Sequence, residues 1–448
     1  MTLAAGPYEQ ISVTEGARAP FYLLRYDKDG RAAGPRTQEH LIDALESGDF
    51  TDVYVFSHGW NNDFSTALSY YRNFIVGYGN LRRRLNLDYG RPYRPLLAGI
   101  VWPSTALVLP WEEGPSFAGG EARDELSAGE QVLIEDLAAD VAPSDRDRFY
   151  ELVNSDQGLS EAEALELATL AQSVFADGDS DVGDEQGPDP GEFVASWAAI
   201  PQPVPETEAG PADFGDFGTA GTTDSAPDAA LELGKFDPRN ALRMLTVWKM
   251  KDRAGKVGAL GVGGVLRDGL AKSSSEVRFH LIGHSYGARV LLSALAYRPV
   301  ARQVDSLLLL QPAVSHLCFA DLVQGSNRPG GYRDTLIRVK KPILATFSAH
   351  DFPLTKIFHL TLRRSRDLGE AEIAAGEPPN VYAALGGFGP RGLGHRSQEI
   401  KVKTAPEGYD LGESAPEVYG VDATSTVGGH GDVSNQSTWW ALHCLVKG

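Results

Sequence analysis

The chain has 448 residues, enough for two or three domains, and its 42% hydrophobic and 9% aromatic content is ordinary for a folded protein with a core. Its net charge of −19 is unevenly distributed, because residues 111–230 contain 29 acidic and three basic residues (net −26) while the remainder carries +7. No stripe of Lys and Arg with interleaved aromatic residues is present, so the composition argues against nucleic-acid binding.

The first hundred residues alternate between strand and helix patterns. Apolar runs at 21–26 and 52–56 predict strands, and the amphipathic segment 38–47 between them predicts a helix. Residues 64–85 predict a long helix, and 95–102 predict another buried strand.

This regularity fails between residues 106 and 234. Helical periodicity persists at 122–141 and 144–175, with Ser144 as the expected N-cap of a helix. From 177 to 228 the composition turns to Gly, Pro, Asp, Glu, Thr and Ala, which is poor material for a core, and we expect this stretch to be flexible.

The pattern resumes with a helix near residue 238. Gly258, Gly261 and Gly264 then recur every third residue, which predicts a small-residue face that packs closely on the sheet. A phosphate-binding loop is disfavoured, because the glycines do not complete Gly-x-Gly-x-x-Gly and no strand leads into them. The later predicted elements are strands at 304–310 and 341–347, weaker strands at 400–403 and 418–423, and a final helix at 437–446. Strands that alternate with helices predict an α/β fold with a mostly parallel sheet covered on both faces.

The pentapeptide Gly-His-Ser-Tyr-Gly at 283–287 carries the strongest chemical signal. An apolar run at 277–282 leads into it, and 288–295 has helical spacing. A strand, a tight turn with serine at its apex and a helix form the setting of a nucleophile elbow, in which side chains at Gly283 and Gly287 would collide with the strand or the helix. Ser285 is therefore the predicted nucleophile.

A second segment, His58-Gly59-Trp60, follows the predicted strand at 52–56. With the elbow, it resembles the α/β-hydrolase superfamily, and more narrowly its lipase- and esterase-like serine hydrolases. The resemblance implies an oxyanion hole built from the backbone N–H groups of Trp60 and Tyr286. Merely turning the chain out of the sheet is the alternative role of His58-Gly59.

A serine nucleophile needs a histidine base and a carboxylate that orients it, and in this superfamily the acid and then the histidine follow the serine along the chain. These groups must lie at the carboxyl ends of parallel strands. Asp305 begins a predicted strand and so lies at the wrong edge, whereas Asp351 follows a strand and is the predicted acid. Capping the helix that follows is the other role open to Asp351.

The base must come later and from a loop. His430, in a glycine-rich loop between the last predicted strand and the last helix, is the predicted base, and His395 remains the alternative. His359 follows Asp351 too closely and His443 lies inside the last helix. The remaining histidines beside these motifs, which we interpret as supporting or core residues, are His58, His284 and His350.

The resemblance covers residues 20–105 and 235–448. We therefore predict a hydrolase body at 1–105 and 235–448, and an acidic, partly helical cap or lid at 106–234. Four aromatic residues of this insertion could line an apolar approach to Ser285: Trp111, Phe117, Phe193 and Trp197.

The expected activity is hydrolysis of carboxylic esters of small molecules through an acyl-enzyme. An amide or peptide hydrolase with the same triad is one alternative, and a non-catalytic binding protein whose acidic insertion engages a protein partner is another. No metal-ligand spacing is present, so neither a metal nor a cofactor is expected.

Two cysteines, Cys318 and Cys444, are too few for a disulfide framework. The sequence shows neither a signal-peptide pattern nor an 18-residue apolar run, so we expect a cytoplasmic protein without a transmembrane segment.

Overall fold

The computed structural model describes residues 5–14, 17–60, 62–104, 128–155, 158–175, 189–198, 236–323, 328–358 and 382–447. The chain forms two compact units. The first comprises Met1–Ala106, Phe175–Gly187 and Val247–Gly448, and the second comprises Leu107–Val174 and Pro188–Thr246. The second unit thus extends to Thr246, beyond the end predicted for the insertion.

The first unit is built on a nine-stranded sheet with the order β1-β2-β4-β3-β5-β6-β7-β9-β8. Only β1 and β2 pair in antiparallel fashion, and every other pair is parallel. The strands are β1 (Glu9–Thr14), β2 (Ala17–Arg25), β3 (Asp52–Ser57), β4 (Pro95–Val101), β5 (Arg278–His284), β6 (Ser306–Leu310), β7 (Ile343–Phe347), β8 (Ser397–Lys401) and β9 (Val418–Asp422). The expected mixed α/β fold with a mostly parallel sheet is confirmed, and β1 is a strand that the sequence did not predict.

The described helices lie between these strands in the sequence and within the second unit. They are α1 (Pro35–Glu46), α2 (Phe64–Arg84), α3 (Ala128–Ala138), α4 (Arg146–Val153), α5 (Glu161–Leu170), α6 (Pro190–Ala198), α7 (Pro238–Lys256), α8 (Gly263–Lys272), α9 (Tyr286–Ala296), the short α10 (Leu385–Phe388) and α11 (Gln436–Lys447). A π-helical turn, Val257–Val262, joins α7 to α8. No helix in the described ranges has both the length and the apolar composition needed to cross a membrane.

Alternate residues of β3 face opposite sides of the sheet, as the period of a strand requires. Tyr54 and Phe56 join a buried cluster with residues of α2 and α11. Val53 and Val55 point to the other side, where they line a small apolar cavity together with residues of α1, α8 and α9. Helices therefore pack against both faces of the sheet at β3.

The second unit has its own small core. Phe193 and Trp197 are both almost fully buried, and the Trp197 ring packs edge-on against Phe236 at a centroid distance of 5.1 Å. The predicted approach to Ser285 includes these two side chains, which here belong to the interior of the second unit. Trp111, Phe117 and residues 177–188 and 199–228 of the predicted flexible stretch lie outside the described residues.

The expected helix at 144–175 is interrupted. It forms α4 and α5, and Asp145 rather than Ser144 occupies the N-cap of α4. The Ser144 hydroxyl instead donates to Asp145 Oδ1 at 3.0 Å. A capping box of Ser160 and Glu163 begins α5, so the local side-chain hydrogen bonds decide where the second helix starts.

The glycines at 258, 261 and 264 do not form one face against the sheet. A Cβ on Gly258 would lie 2.2 Å from the carbonyl oxygen of Val290 in α9, and one on Gly261 would lie 2.6 Å from that of Gly30. A Cβ on Gly264 would meet nothing within 4 Å. The close approach predicted from these glycines is therefore to α9 and to the turn after β2, and Gly264 has no part in it.

Alanine substitutions in this segment should therefore have opposite effects on stability. Gly258→Ala should lower the free energy of unfolding by about 1–3 kcal/mol or more, because α9 must shift to admit a methyl group. Gly264→Ala should be neutral or raise it by about 0.5–1 kcal/mol, because alanine restricts the unfolded chain and favours the helix. Urea unfolding of both variants measures the difference, and equal effects would contradict the packing described for Gly258.

Candidate active site

Ser285 lies at the turn between β5 and α9 in a conformation that serine rarely adopts. Its φ is 54° and its ψ is −126°, and the residue is 1% exposed. A Cβ on Gly283 would lie 2.8 Å from Ala288 Cα, and one on Gly287 would lie 2.2 Å from the Ser57 carbonyl oxygen. The steric role expected of the two glycines is therefore present: one admits the helix and the other admits the end of β3.

Three side chains from separate segments form a hydrogen-bonded chain. Ser285 Oγ lies 2.8 Å from His430 Nε2, and His430 Nδ1 lies 2.8 Å from Asp351 Oδ2. Asp351 is fully buried, while the side chain of His430 is 23% exposed. Because a carboxylate oxygen only accepts, the imidazole donates from Nδ1 to Asp351, and in its neutral form Nε2 accepts from the Ser285 hydroxyl.

Asp351 follows β7, and each of its carboxylate oxygens has a defined partner. Oδ1 accepts from the backbone N–H of Leu354 at 3.1 Å, at the start of the π-helical turn Pro353–Ile357. Oδ2 faces His430. The two roles considered for this residue, helix cap and partner of the histidine, are thus both filled, one by each oxygen.

His430 lies on a loop between β9 and α11 that is held at several points. Asp432 Oδ2 accepts from the N–H of Gly428 at 3.0 Å, which closes the turn around the histidine. The Asn435 side chain donates to the carbonyl oxygens of Thr426 and Asp432 at 3.1 and 2.9 Å. His284 Nε2 lies 2.8 Å from the His430 carbonyl oxygen and donates to it. The loop is therefore fixed both internally and against the elbow.

The loop after β3 runs alongside the elbow. Ser57 pairs with Gly283 at the end of the parallel register, and beyond it the Trp60 ring lies beside the Tyr286 ring at a centroid distance of 6.2 Å. A Cβ on Gly59 would lie 2.6 Å from Ser285 Cβ. Tyr286 is the first residue of α9 and directly follows Ser285. The N–H groups of Trp60 and Tyr286 therefore belong to the two segments that border Ser285.

His58 supports this loop from within the core. Its Nδ1 lies 2.9 Å from the Gly59 carbonyl oxygen, and its ring stacks on Trp102 at a centroid distance of 5.5 Å. The N–H of His58 donates to the Tyr71 hydroxyl at 2.8 Å. Burial lowers the pKa of His58 to about 4, so the ring stays neutral and pins the loop as a fixed donor.

The rival residues lie elsewhere. Asp305 precedes β6 at the amino edge and accepts from the Phe279 N–H at 2.9 Å. His395 is exposed and precedes β8, which runs parallel to β9, so it lies at the edge opposite Ser285. His443 stacks between Tyr89 and Trp440 on α11. His350, predicted to be a supporting or core residue, is exposed and therefore not part of the core. His359 lies outside the described residues.

Sequence reasoning missed Gln311, which follows β6 and is fully buried. Its Nε2 donates to Asp351 Oδ2 at 3.2 Å. Asp351 was predicted because functional groups lie at the carboxyl ends of parallel strands. The same rule applies to Gln311, which directly follows an apolar strand. An amide neither titrates nor acts as a nucleophile, so a search of the sequence for catalytic acids and bases does not select it.

No group of three or more His, Cys, Asp or Glu side chains in the described part of the chain is arranged to hold a metal ion. The chain matches no protein-family model, no curated protein and no solved structure. Any functional conclusion therefore depends on the geometry of the site.

Two buried histidines of the site should make stability depend on pH. Burial is the main cause that lowers the pKa of His58 to about 4 and that of His284 to about 3. The unfolded chain binds protons at these positions below a pKa of about 6.5, whereas the folded protein does not. The contribution of these two neutral histidines to the free energy of unfolding is therefore fully present above pH 6.5. It declines as the pH falls, by about 2 kcal/mol for each histidine at pH 5.

Urea unfolding at pH 7 and pH 5 measures this decline. His284→Gln should make it smaller, because the amide can donate to the His430 carbonyl but does not titrate. His395→Gln, at an exposed position, is the matched control and should leave it unchanged. An unfolding free energy that stays constant between the two pH values would contradict the neutral, buried state of both rings.

Proposed function

We propose that the protein is a serine hydrolase of the α/β-hydrolase type that cleaves carboxylic esters through an acyl-enzyme. The observation that carries the proposal is the hydrogen-bonded chain from Ser285 Oγ through His430 to Asp351, with 2.8 Å at both links. A serine oxygen that hydrogen-bonds to a neutral imidazole is activated for attack on a carbonyl carbon, and the carboxylate stabilises the imidazolium that forms.

The topology of the sheet supports the assignment. From β3 the chain continues to β4 on one side, while β5 pairs with the other side of β3 and is followed outward by β6 and β7. The strand order thus reverses between β3 and β5, and ligands of open parallel sheets bind at the carboxyl ends of such neighbours. Trp60 and Ser285 follow β3 and β5 at this point.

In acylation, Ser285 Oγ attacks the ester carbonyl carbon while His430 Nε2 takes the hydroxyl proton. The carbonyl oxygen becomes an oxyanion, to which the N–H groups of Trp60 and Tyr286 donate. When the tetrahedral intermediate collapses, the bond to the alcohol oxygen breaks and His430 returns the proton to that oxygen. The alcohol leaves, and the acyl group remains as an ester of Ser285.

Deacylation repeats these steps with water. His430 Nε2 takes a proton from water, whose oxygen attacks the acyl carbon, and the same two N–H groups hold the oxyanion. Collapse then breaks the bond to Ser285 Oγ, which recovers its proton from His430 and releases the carboxylic acid. Asp351 accepts the hydrogen bond from His430 Nδ1 throughout and takes up no proton itself, since its role is to orient the imidazole and stabilise its cation.

Replacement of the nucleophile tests the proposal directly. The wild-type protein should hydrolyse short p-nitrophenyl esters and react covalently with a fluorophosphonate probe. Ser285→Ala should lose kcat by about 10⁴-fold or more and should not be labelled, because no oxygen remains to form the acyl or phosphonyl bond. Labelling that persists in Ser285→Ala would refute the assignment of the nucleophile. A wild-type protein that neither turns over esters nor reacts with the probe would favour a binding role.

The acid has a matched control at the opposite edge of the sheet. Asp351→Asn should lower kcat by about 10³–10⁴-fold, because an amide can present its N–H to His430 and fix the wrong tautomer. Asp305→Asn should leave kcat within about twofold, because the amide oxygen can still accept from Phe279 and lies far from the chemistry. Steady-state kinetics on one ester compares the two. Similar losses in both variants would contradict the assignment of Asp351.

A further inference from the structure

The strand between the nucleophile and the acid also ends in an unusual residue. In the sheet, β6 lies between β5, which leads to Ser285, and β7, which leads to Asp351. Gln311 follows β6 directly, with a φ of 45°. A non-glycine residue with such a φ is strained, and glycine would adopt the same conformation without that cost.

The Gln311 side chain is fully buried, and hydrogen bonds hold its amide in place. Nε2 donates to Asp351 Oδ2 and to the Gly386 carbonyl oxygen, both at 3.2 Å. The backbone N–H of Gln311 donates to Thr346 Oγ1 in β7 at 3.0 Å. The other amide atom, Oε1, is buried with no hydrogen-bond partner among the described residues, which costs stability. The strain and the unpaired oxygen are thus both tolerated at a position from which an amide N–H reaches Asp351.

The buried carboxylate of Asp351 needs donors on both oxygens. Leu354 N–H fixes Oδ1, while Oδ2 accepts from Gln311 and from His430. If the Gln311 amide is removed, Oδ2 keeps only His430 of its two donors, so the carboxylate is held against rotation about its Cβ–Cγ bond by one hydrogen bond on each oxygen instead of three in all. The position of the imidazole would then be defined less narrowly relative to Ser285.

We propose that Gln311 is a positioning residue, whose amide sets the orientation of the Asp351 carboxylate so that Oδ2 faces Nδ1 of His430. The effect on catalysis rests on the proposed hydrolase function, whereas the effect on the bond between Asp351 and His430 does not. The two can be measured separately.

Gln311→Gly removes the amide and relieves the backbone strain at the same time. With a p-nitrophenyl ester, kcat should fall by about 10- to 100-fold while KM changes by less than about twofold, because the substrate does not contact Gln311. The melting temperature should not fall in step with kcat. The control is Asn86→Gly, which also replaces a residue with positive φ (49°), in this case an exposed residue after α2, and it should leave kcat unchanged.

Proton NMR of the resting protein gives a readout independent of activity. The proton between His430 Nδ1 and the buried carboxylate should give a far-downfield resonance, assigned by its loss in His430→Asn. In Gln311→Gly this resonance should shift upfield or broaden beyond detection, and in Asn86→Gly it should stay in place.

A downfield resonance unchanged in Gln311→Gly would overturn the proposal, whatever happens to kcat. A resonance that shifts while kcat stays the same would overturn the role of Gln311 in the reaction. Absence of the resonance from the wild-type protein would overturn the proposal as well, because the proposal depends on the hydrogen bond between His430 and Asp351. If the wild-type protein hydrolyses no ester, the proposed function fails, and the resonance alone then decides whether Gln311 orients Asp351.

Discussion

The site depends on how closely the end of β3 approaches the turn at Ser285. A Cβ on Gly287 would lie 2.2 Å from the Ser57 carbonyl oxygen, and a Cβ on Gly59 would lie 2.6 Å from Ser285 Cβ. Two segments more than 200 residues apart in the sequence are thus in backbone contact, with glycine on each side of that contact. Any side chain at either glycine would separate them, and the Trp60 N–H would move away from the serine. The position of each loop therefore depends on that of the other.

Residue types alone do not define such a site, as a second arrangement at the opposite edge demonstrates. Ser306 Oγ lies 2.8 Å from His280 Nδ1, and His280 Nε2 lies 3.2 Å from Asp52 Oδ1. All three residues are buried, and Arg91 donates to both oxygens of Asp52 at 2.6 and 2.7 Å. Although burial opposes it, these hydrogen bonds from Arg91 and His280 hold the pKa of Asp52 well below its usual range. The carboxylate is already neutralised by an arginine and the serine is not accessible, so this arrangement ties β3, β5 and β6 together and serves structure.

The sequence predicted those parts of the site that depend on local pattern or on strand direction. The elbow is local, because a strand, a serine between glycines and a helix lie within 20 residues of the chain. Strand direction separates Asp351 from Asp305 without any knowledge of contacts. The alternative base His395 could not be excluded from the sequence, because β8 is an exposed edge strand with a weak apolar pattern. Such a pattern does not show at which end of the parallel strands His395 lies. The hydrogen bond from Gln311 to Asp351 joins segments 40 residues apart, and no periodicity within either segment encodes it.

Neighbouring strands carry the strained residues of the site, and the hydrogen bonds between them show why the strain persists. Ser285 N–H donates to the Leu310 carbonyl oxygen at 3.0 Å, and the Ala313 N–H donates to the Ser285 carbonyl oxygen at 3.2 Å. The sheet pairing of β5 and β6 thus continues through the elbow and around Gln311. Both polar backbone groups of Ser285 are used, so relaxing its φ would break two buried hydrogen bonds and cost more than the strain itself. The backbone at Ser285 is therefore held in its strained conformation by the same kind of hydrogen bonds that join the strands of the sheet.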